Sequence, residues 1–286
     1  MPDRVRESLK GFLLGSRNPD GGWGYYPGKS SRLEPTCWAL LALGERATDA
    51  SVLARWPVEG GLLLERPAGA PNFAFHGLGL LALHALRIEH AAGTPALVRG
   101  IQAVKGRALR PSDINRQDNS LAAWSWIPET FSWVEPTAWC LLALKKWRGA
   151  PGVKIDDRRV DTAERLLIDR ACLVGGWNYG NSNMLGQELK PYVATTALGV
   201  LAMQDQQAVP EIARSIDYLQ ANASKELSGL SLSLSMLALQ AVGKSSGPVR
   251  DLLVRQGDAS LELKNQLAVA TSLYALRADD HHAFQL

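Results

Sequence analysis

The sequence predicts an all-α protein in which six helical hairpins close into a ring, an (α/α)6 toroid with an inner and an outer layer. Three observations carry this expectation. Two near-copies, LEPTCWALLAL (33–43) and VEPTAWCLLAL (134–144), are offset by 101 residues, and a third relative, VATTALGVLAM, occupies 193–203. The middle Ala of each LAL-like triplet then marks six segments, at Ala42, Ala82, Ala143, Ala202, Ala238 and Ala275, spaced 40, 61, 59, 36 and 37 residues apart. No segment alternates apolar and polar residues over the length of a strand.

The six marked segments are rich in Ala and Leu and apolar almost all round, so they are expected to be buried on most sides. Between them lie more polar, amphipathic segments at roughly 4–16, 48–56, 95–106, 159–172, 210–222 and 247–257. In IARSIDYLQANA (212–223), Ile212, Ile216, Leu219 and Ala223 follow helical spacing. Twelve alternating helices, at roughly 24 residues per helix and loop, match ordinary helix lengths and use the whole chain, 1–286, as one domain. An open solenoid would need polar caps at its ends. Here even the first and last inner segments have buried character, which favours closure.

The loops carry turn signals. Asn18-Pro19-Asp20-Gly21-Gly22 and Gly175-Gly176 supply tight reversals. Pro35 and Pro136 fall just inside inner helices, where first-turn N–H groups are unpaired anyway. Glu34 and Glu135 stand beside them, where the helix dipole favours a carboxylate. A Trp precedes each of three inner helices: Trp23 and Trp124 lie 13 residues before the shared Thr36 and Thr137, and Trp177 lies 19 before Thr196. These three are expected to pack over the outer helix of their own repeat, with Arg17, Gln117 and Arg170 as nearby polar partners. Asp156-Asp157 reads as a charge cap on the fourth outer helix, and Asp279-Asp280 closes the last inner helix.

Composition narrows the function. The net charge of +3, from 31 basic and 28 acidic residues, has no basic run and gives no nucleic-acid footprint. No stretch approaches the roughly 20 apolar residues of a membrane span. Three cysteines without CxxC spacing, and a charged N-terminal segment unlike a secretory signal, suggest a reducing, cytoplasmic setting. Nine Trp among 286 residues is an excess. Trp38 and Trp139 lie on the inner helices themselves. Tyr25, Tyr26, Phe73, Phe75, Trp126, Phe131, Trp133, Tyr179 and Tyr192 cluster near the helix starts. His76 is the one histidine placed at that mouth. An aromatic mouth suits a hydrophobic small molecule.

The pattern F-L-x3-R-x2-DGGWG (Phe12, Leu13, Arg17, Asp20 to Gly24) resembles the QW repeat of squalene-hopene and oxidosqualene cyclases. EPTAWCLLAL is similar to the inner helix of those families and of protein prenyltransferase β-subunits. The resemblance implies a terpenoid cyclase/prenyltransferase-like α/α toroid, and an isoprenoid-like ligand at Tyr25, Phe75, His76, Trp126, Trp133, Trp139, Trp38 and Tyr192. The cyclase DxDD motif does not carry over. With Thr36 aligned, its acidic positions hold Arg32, Glu34 and Pro35; with Thr137 aligned, they hold Trp133, Glu135 and Pro136. The zinc ligands of prenyltransferases are missing too, since Cys37 and Cys140 lie deeper and no histidine is in register. Neither a metal nor a cofactor is expected.

Four readings follow: a hydrophobic-ligand toroid, a terpenoid cyclase using Glu34 or Glu135 as its acid, a non-catalytic scaffold with a protein partner, and an (α/α)6 glycosidase or lyase using Glu34 and Glu135 as a carboxylate pair. The resemblance favours the first.

Overall fold

A computed structural model describes residues 2–44, 50–114, 116–278 and 281–286. In chain order its helices are α1 (Pro2–Gly15), α2 (Leu33–Leu43), α3 (Ser51–Ala54), α4 (Phe73–Ala85), α5 (Thr94–Ala103), α6 (Val134–Trp147), α7 (Asp157–Asp169), α8 (Val193–Ala202), α9 (Pro210–Asn222), α10 (Gly229–Ala241), α11 (Gly247–Arg255), α12 (Gly257–Glu262) and α13 (Gln266–Arg277). The sixth outer segment is thus split between α11 and α12. The second is reduced to the short α3; residues 48–49 of its expected span, and the Asp279-Asp280 pair, lie outside the described residues. Two-residue antiparallel strands, β1 (Val58–Glu59) with β2 (Leu62–Leu63) and β3 (Asn183–Met184) with β4 (Gln187–Glu188), pin two of the loops.

Helices α2, α4, α6, α8, α10 and α13 form the inner ring. Each packs on the next, and α13 packs on α2 to close it. The six marker alanines share one register, each nine residues after the first residue of its helix. That register is why a single small-residue ruler detects all six. Closure is reinforced where the Arg277 guanidinium donates to the Ala42 carbonyl and where α1 lies across α13. Gly77 allows α4 and α6 their close approach: a Cβ there would meet the Cys140 amide nitrogen at 2.9 Å.

The three expected Trp staples share one geometry. Each fully buried indole N–H donates to a carbonyl on its own outer helix: Trp23 to Leu13 (2.9 Å), Trp124 to Ile101 (2.9 Å) and Trp177 to Leu167 (2.7 Å). Each Trp backbone N–H donates to the shared threonine Oγ1, at 2.9 Å from Thr36, 3.3 Å from Thr137 and 3.0 Å from Thr196. The threonine hydroxyl donates back to the Trp carbonyl. One side chain thus satisfies two loop groups that burial removes from water. Arg17 lies over the Trp23 ring at 5.2 Å as expected, but Arg159 rather than Gln117 covers Trp124, at 4.2 Å, and Arg170 pairs with Asp169. Asp156 accepts from the Arg158 amide at 3.1 Å and caps α7.

Neighbouring repeats are tied by a second series of bonds. The first N–H of an inner helix has no intrahelical acceptor. In α2, α4, α6 and α13 it donates to the loop that enters the next inner helix: Leu33 to Glu65, Phe73 to Trp126, Val134 to Tyr179, and Gln266, across the closure, to Tyr25, all at 2.8–3.0 Å. Three of these four acceptors lie two residues after a staple Trp. The aromatic side chains at those positions are thereby held at the mouth.

Residues 281–286 turn back into the other end of the ring. Phe284 is fully buried, with its ring 5.2 Å from Trp38, 5.6 Å from Trp139 and 5.6 Å from Tyr274. The segment is anchored by Gln204, whose Nε2 donates to the Phe284 carbonyl at 2.7 Å, and by Lys146, which donates to the Gln285 carbonyl at 2.6 Å. Phe284 therefore fills the barrel axis towards the C-terminal ends of its inner helices. Among the described residues no helix is long and apolar enough to cross a membrane.

Candidate functional site

Glu34 is the second residue of α2 and Glu135 the second residue of α6. The intervening α4 offers buried Ala74 at the same register, so no long side chain separates the two. Both carboxyls are half-buried and neither belongs to an ion pair among the described residues. The Tyr25 hydroxyl donates to Glu34 Oε2 at 2.7 Å. Trp139 lies one turn below Glu135 on the same helix, and its indole opposes the rise in the Glu135 pKa. Beside Glu34, Arg32 and Glu65 pair at 2.6 Å.

Burial dominates the electrostatics. It raises the Glu34 pKa to about 7 against the opposing Tyr25 hydrogen bond, with the Glu65 charge adding to the rise. It raises Glu135 to about 8, with the Glu34 charge adding to the rise. A helix start favours a carboxylate by roughly 0.3–1 kcal/mol, under one pKa unit. Desolvation by the surrounding ring outweighs it. The two groups thus form a coupled pair that holds a proton near neutral pH. The same burial, together with the Glu34 charge, pushes the Tyr25 phenol far up, so it stays a donor.

Aromatic rings rim this pair. Phe75 and Trp126 meet edge-to-face at 6.0 Å, Phe131 and Trp133 lie 4.4 Å apart, and exposed Tyr179 and Tyr192 lie 5.1 Å apart. A recess of about 420 Å³ opens beside Glu135, walled by Tyr179, Tyr192, Tyr218, Glu226 and the starts of α8 and α10.

Of the residues expected to meet a ligand, Tyr25, Phe75, Trp126, Trp133 and Tyr192 gather at this mouth around Glu34 and Glu135. Trp38 and Trp139 do not rim an open cavity; they are 1% and 4% exposed and pack on Phe284, which fills the space an extended apolar chain would occupy. His76 is also outside the site. It takes the position of the staple threonines on α4, accepting from the Leu63 N–H at 2.9 Å through Nδ1 and lying 3.2 Å from the Leu97 carbonyl through Nε2. Its burial lowers its pKa to about 4. Cys37 and Cys140 are buried and free, and no metal-holding cluster exists among the described residues. Sequence reading missed Glu65, Tyr218 and Glu226, which come from loops and an outer helix with no repeat signal. It also missed Phe284, whose partners Trp38 and Trp139 lie far away in the chain.

No protein-family model matches the chain, and no curated protein matches it. Among solved structures, the chain is similar to a family 76 glycoside hydrolase from a bovine Bacteroides thetaiotaomicron strain, with a TM-score of 0.58 and 10% identity over 96% of this chain and 76% of that one. A family 76 glycoside hydrolase (mannosidase) from Bacteroides thetaiotaomicron VPI-5482 aligns with a TM-score of 0.35 and 14% identity over 92% of this chain and 71% of that one. The first supports the all-α toroid. It also corrects the expectation of a terpenoid cyclase or prenyltransferase relative: the solved structure that shares this fold is a glycoside hydrolase, and the QW-like residues have a packing explanation in the Trp–Thr staples. The expected isoprenoid-binding function falls with that kinship.

Proposed function

We propose that the chain hydrolyses a glycosidic bond with Glu34 and Glu135 as its two carboxyl groups. The observation that carries this reading is the pair itself: two half-buried glutamates at one register, coupled, with proton affinities raised to about 7 and about 8. A glycosidase needs one protonated and one ionised carboxyl at the same pH, and environments that separate the pair supply that. Glu135, with the higher affinity, protonates the departing glycosidic oxygen. Glu34, steadied as a carboxylate by the Tyr25 hydroxyl, takes the proton of the attacking water. Transfer of that proton back to Glu135 through solvent resets the pair. The rings around the mouth offer faces for sugar C–H groups, and Arg32 and Glu65 offer polar contacts for hydroxyls. The fold's likeness to a glycoside hydrolase is consistent with this chemistry.

The test is release of reducing ends from a panel of aryl glycosides and oligosaccharides by the wild type, Glu34→Gln and Glu135→Gln. Activity lost in both variants, with thermal melting retained, supports the reading. Wild-type inactivity across the panel, or turnover unchanged by both substitutions, overturns it.

A further inference from the structure

The recess beside Glu135 has a composition of its own. Its described lining brings the carboxyls of Glu135 and Glu226 together with the rings of Tyr179, Tyr192 and Tyr218, and includes no lysine, arginine or histidine. Tyr179 and Tyr192 are 60% and 50% exposed, and their planes are inclined by 47°, so they present two aromatic faces to one volume. The Tyr218 hydroxyl is tied to the Pro191 carbonyl at 3.2 Å, which fixes that wall. An anion would find no basic side chain here. A cation would meet carboxyl oxygens and the negative faces of tyrosine rings, the arrangement that recognises ammonium groups. At about 420 Å³ the volume suits one ring with its substituents rather than a long chain.

We propose that this recess binds the ammonium group of an amino sugar, so that the preferred substrate carries a free amine on a ring next to the bond cleaved. The assignment of a sugar rests on the proposed glycosidase function; the assignment of a cation rests on the recess alone.

Isothermal titration of the full chain with glucosamine, N-acetylglucosamine and glucose tests it. Glucosamine is expected to bind about tenfold more tightly than the other two, and Tyr192→Leu and Glu226→Gln are each expected to remove most of that preference. Both positions are at least partly exposed, and Glu226→Asp, which keeps the charge, should retain it. Equal binding of the three sugars, absence of binding by all three, or a preference untouched by Tyr192→Leu and Glu226→Gln overturns the proposal. Hydrolysis separates the two readings. Turnover of neutral glycosides without amine preference sinks the ammonium site alone. Selective glucosamine binding with no hydrolysis of any glycoside, amine-bearing ones included, sinks the glycosidase reading alone.

Discussion

The ring of Phe284 lies 5.2 Å from that of Trp38, at the centre of the barrel and far from it in sequence. Trp139 and Tyr274 complete the cluster at 5.6 Å each. The rings form a floor beneath the carboxyl pair. Phe284→Ala should cost about 3–5 kcal/mol of stability, the usual range for a fully buried phenylalanine, read as a shift in urea midpoint. A loss below about 1 kcal/mol would mean that the segment does not occupy the core.

The Trp–Thr staples predict a graded series. Thr36→Val, Thr137→Val and Thr196→Val each keep the side-chain shape and remove one hydroxyl that both accepts and donates. Each should destabilise by about 1–3 kcal/mol, because the buried tryptophan N–H loses its acceptor, while the tryptophan carbonyl keeps the backbone N–H of Arg32, Trp133 or Tyr192. Thermal melts of the three variants check this. Unchanged melting temperatures in all three would show that water replaces the hydroxyl.

The carboxyl pair predicts a narrow pH profile. Activity needs Glu34 ionised, above about pH 7, and Glu135 protonated, below about pH 8, so kcat/KM should be bell-shaped with its maximum between those values. The two limbs belong to the coupled pair. Tyr25→Phe removes the hydrogen bond that favours the Glu34 carboxylate. The acid limb should then move to higher pH, with kcat reduced; a limb that stays in place separates Tyr25 from the pair.

The same groups make stability fall with pH. Their folded pKa values lie above the ordinary glutamate value of 4.5, so the folded chain binds more protons than the unfolded one until pH passes about 8. The histidines His76 and His282, held neutral by burial at pKa values of about 4, act oppositely, but only below their ordinary value of 6.5. Between pH 6.5 and 8 the glutamates therefore dominate, and the wild type should lose about 2 kcal/mol. Glu135→Gln should flatten the curve and melt above the wild type at pH 8. A parallel loss in wild type and variant would contradict the raised proton affinity.

The legible part of the fold was its repetition. Ala42, Ala82, Ala143, Ala202, Ala238 and Ala275 recur because every inner helix must present small residues at one depth of the ring. Trp23, Trp124 and Trp177 recur with their threonines because each loop needs the same buried bonds. His76 broke the pattern to the eye, yet its ring performs a threonine-like task on α4, so a residue that looked chemical is structural. Trp38 and Trp139 misled for a related reason: one aromatic side chain can rim a cavity or fill it, and only the position of Phe284 distinguishes these.

By itself the sequence determined the all-α class, the six inner helices and the places of Glu34 and Glu135 at two helix starts, because these depend on local periodicity and on spacing repeated along the chain. The tertiary structure decided the rest. Closure of α13 on α2, the Phe284 plug, the coupling of the two glutamates and the recess with Glu226 all join residues distant in sequence, and proton affinity depends on how much water that assembly leaves at each carboxyl.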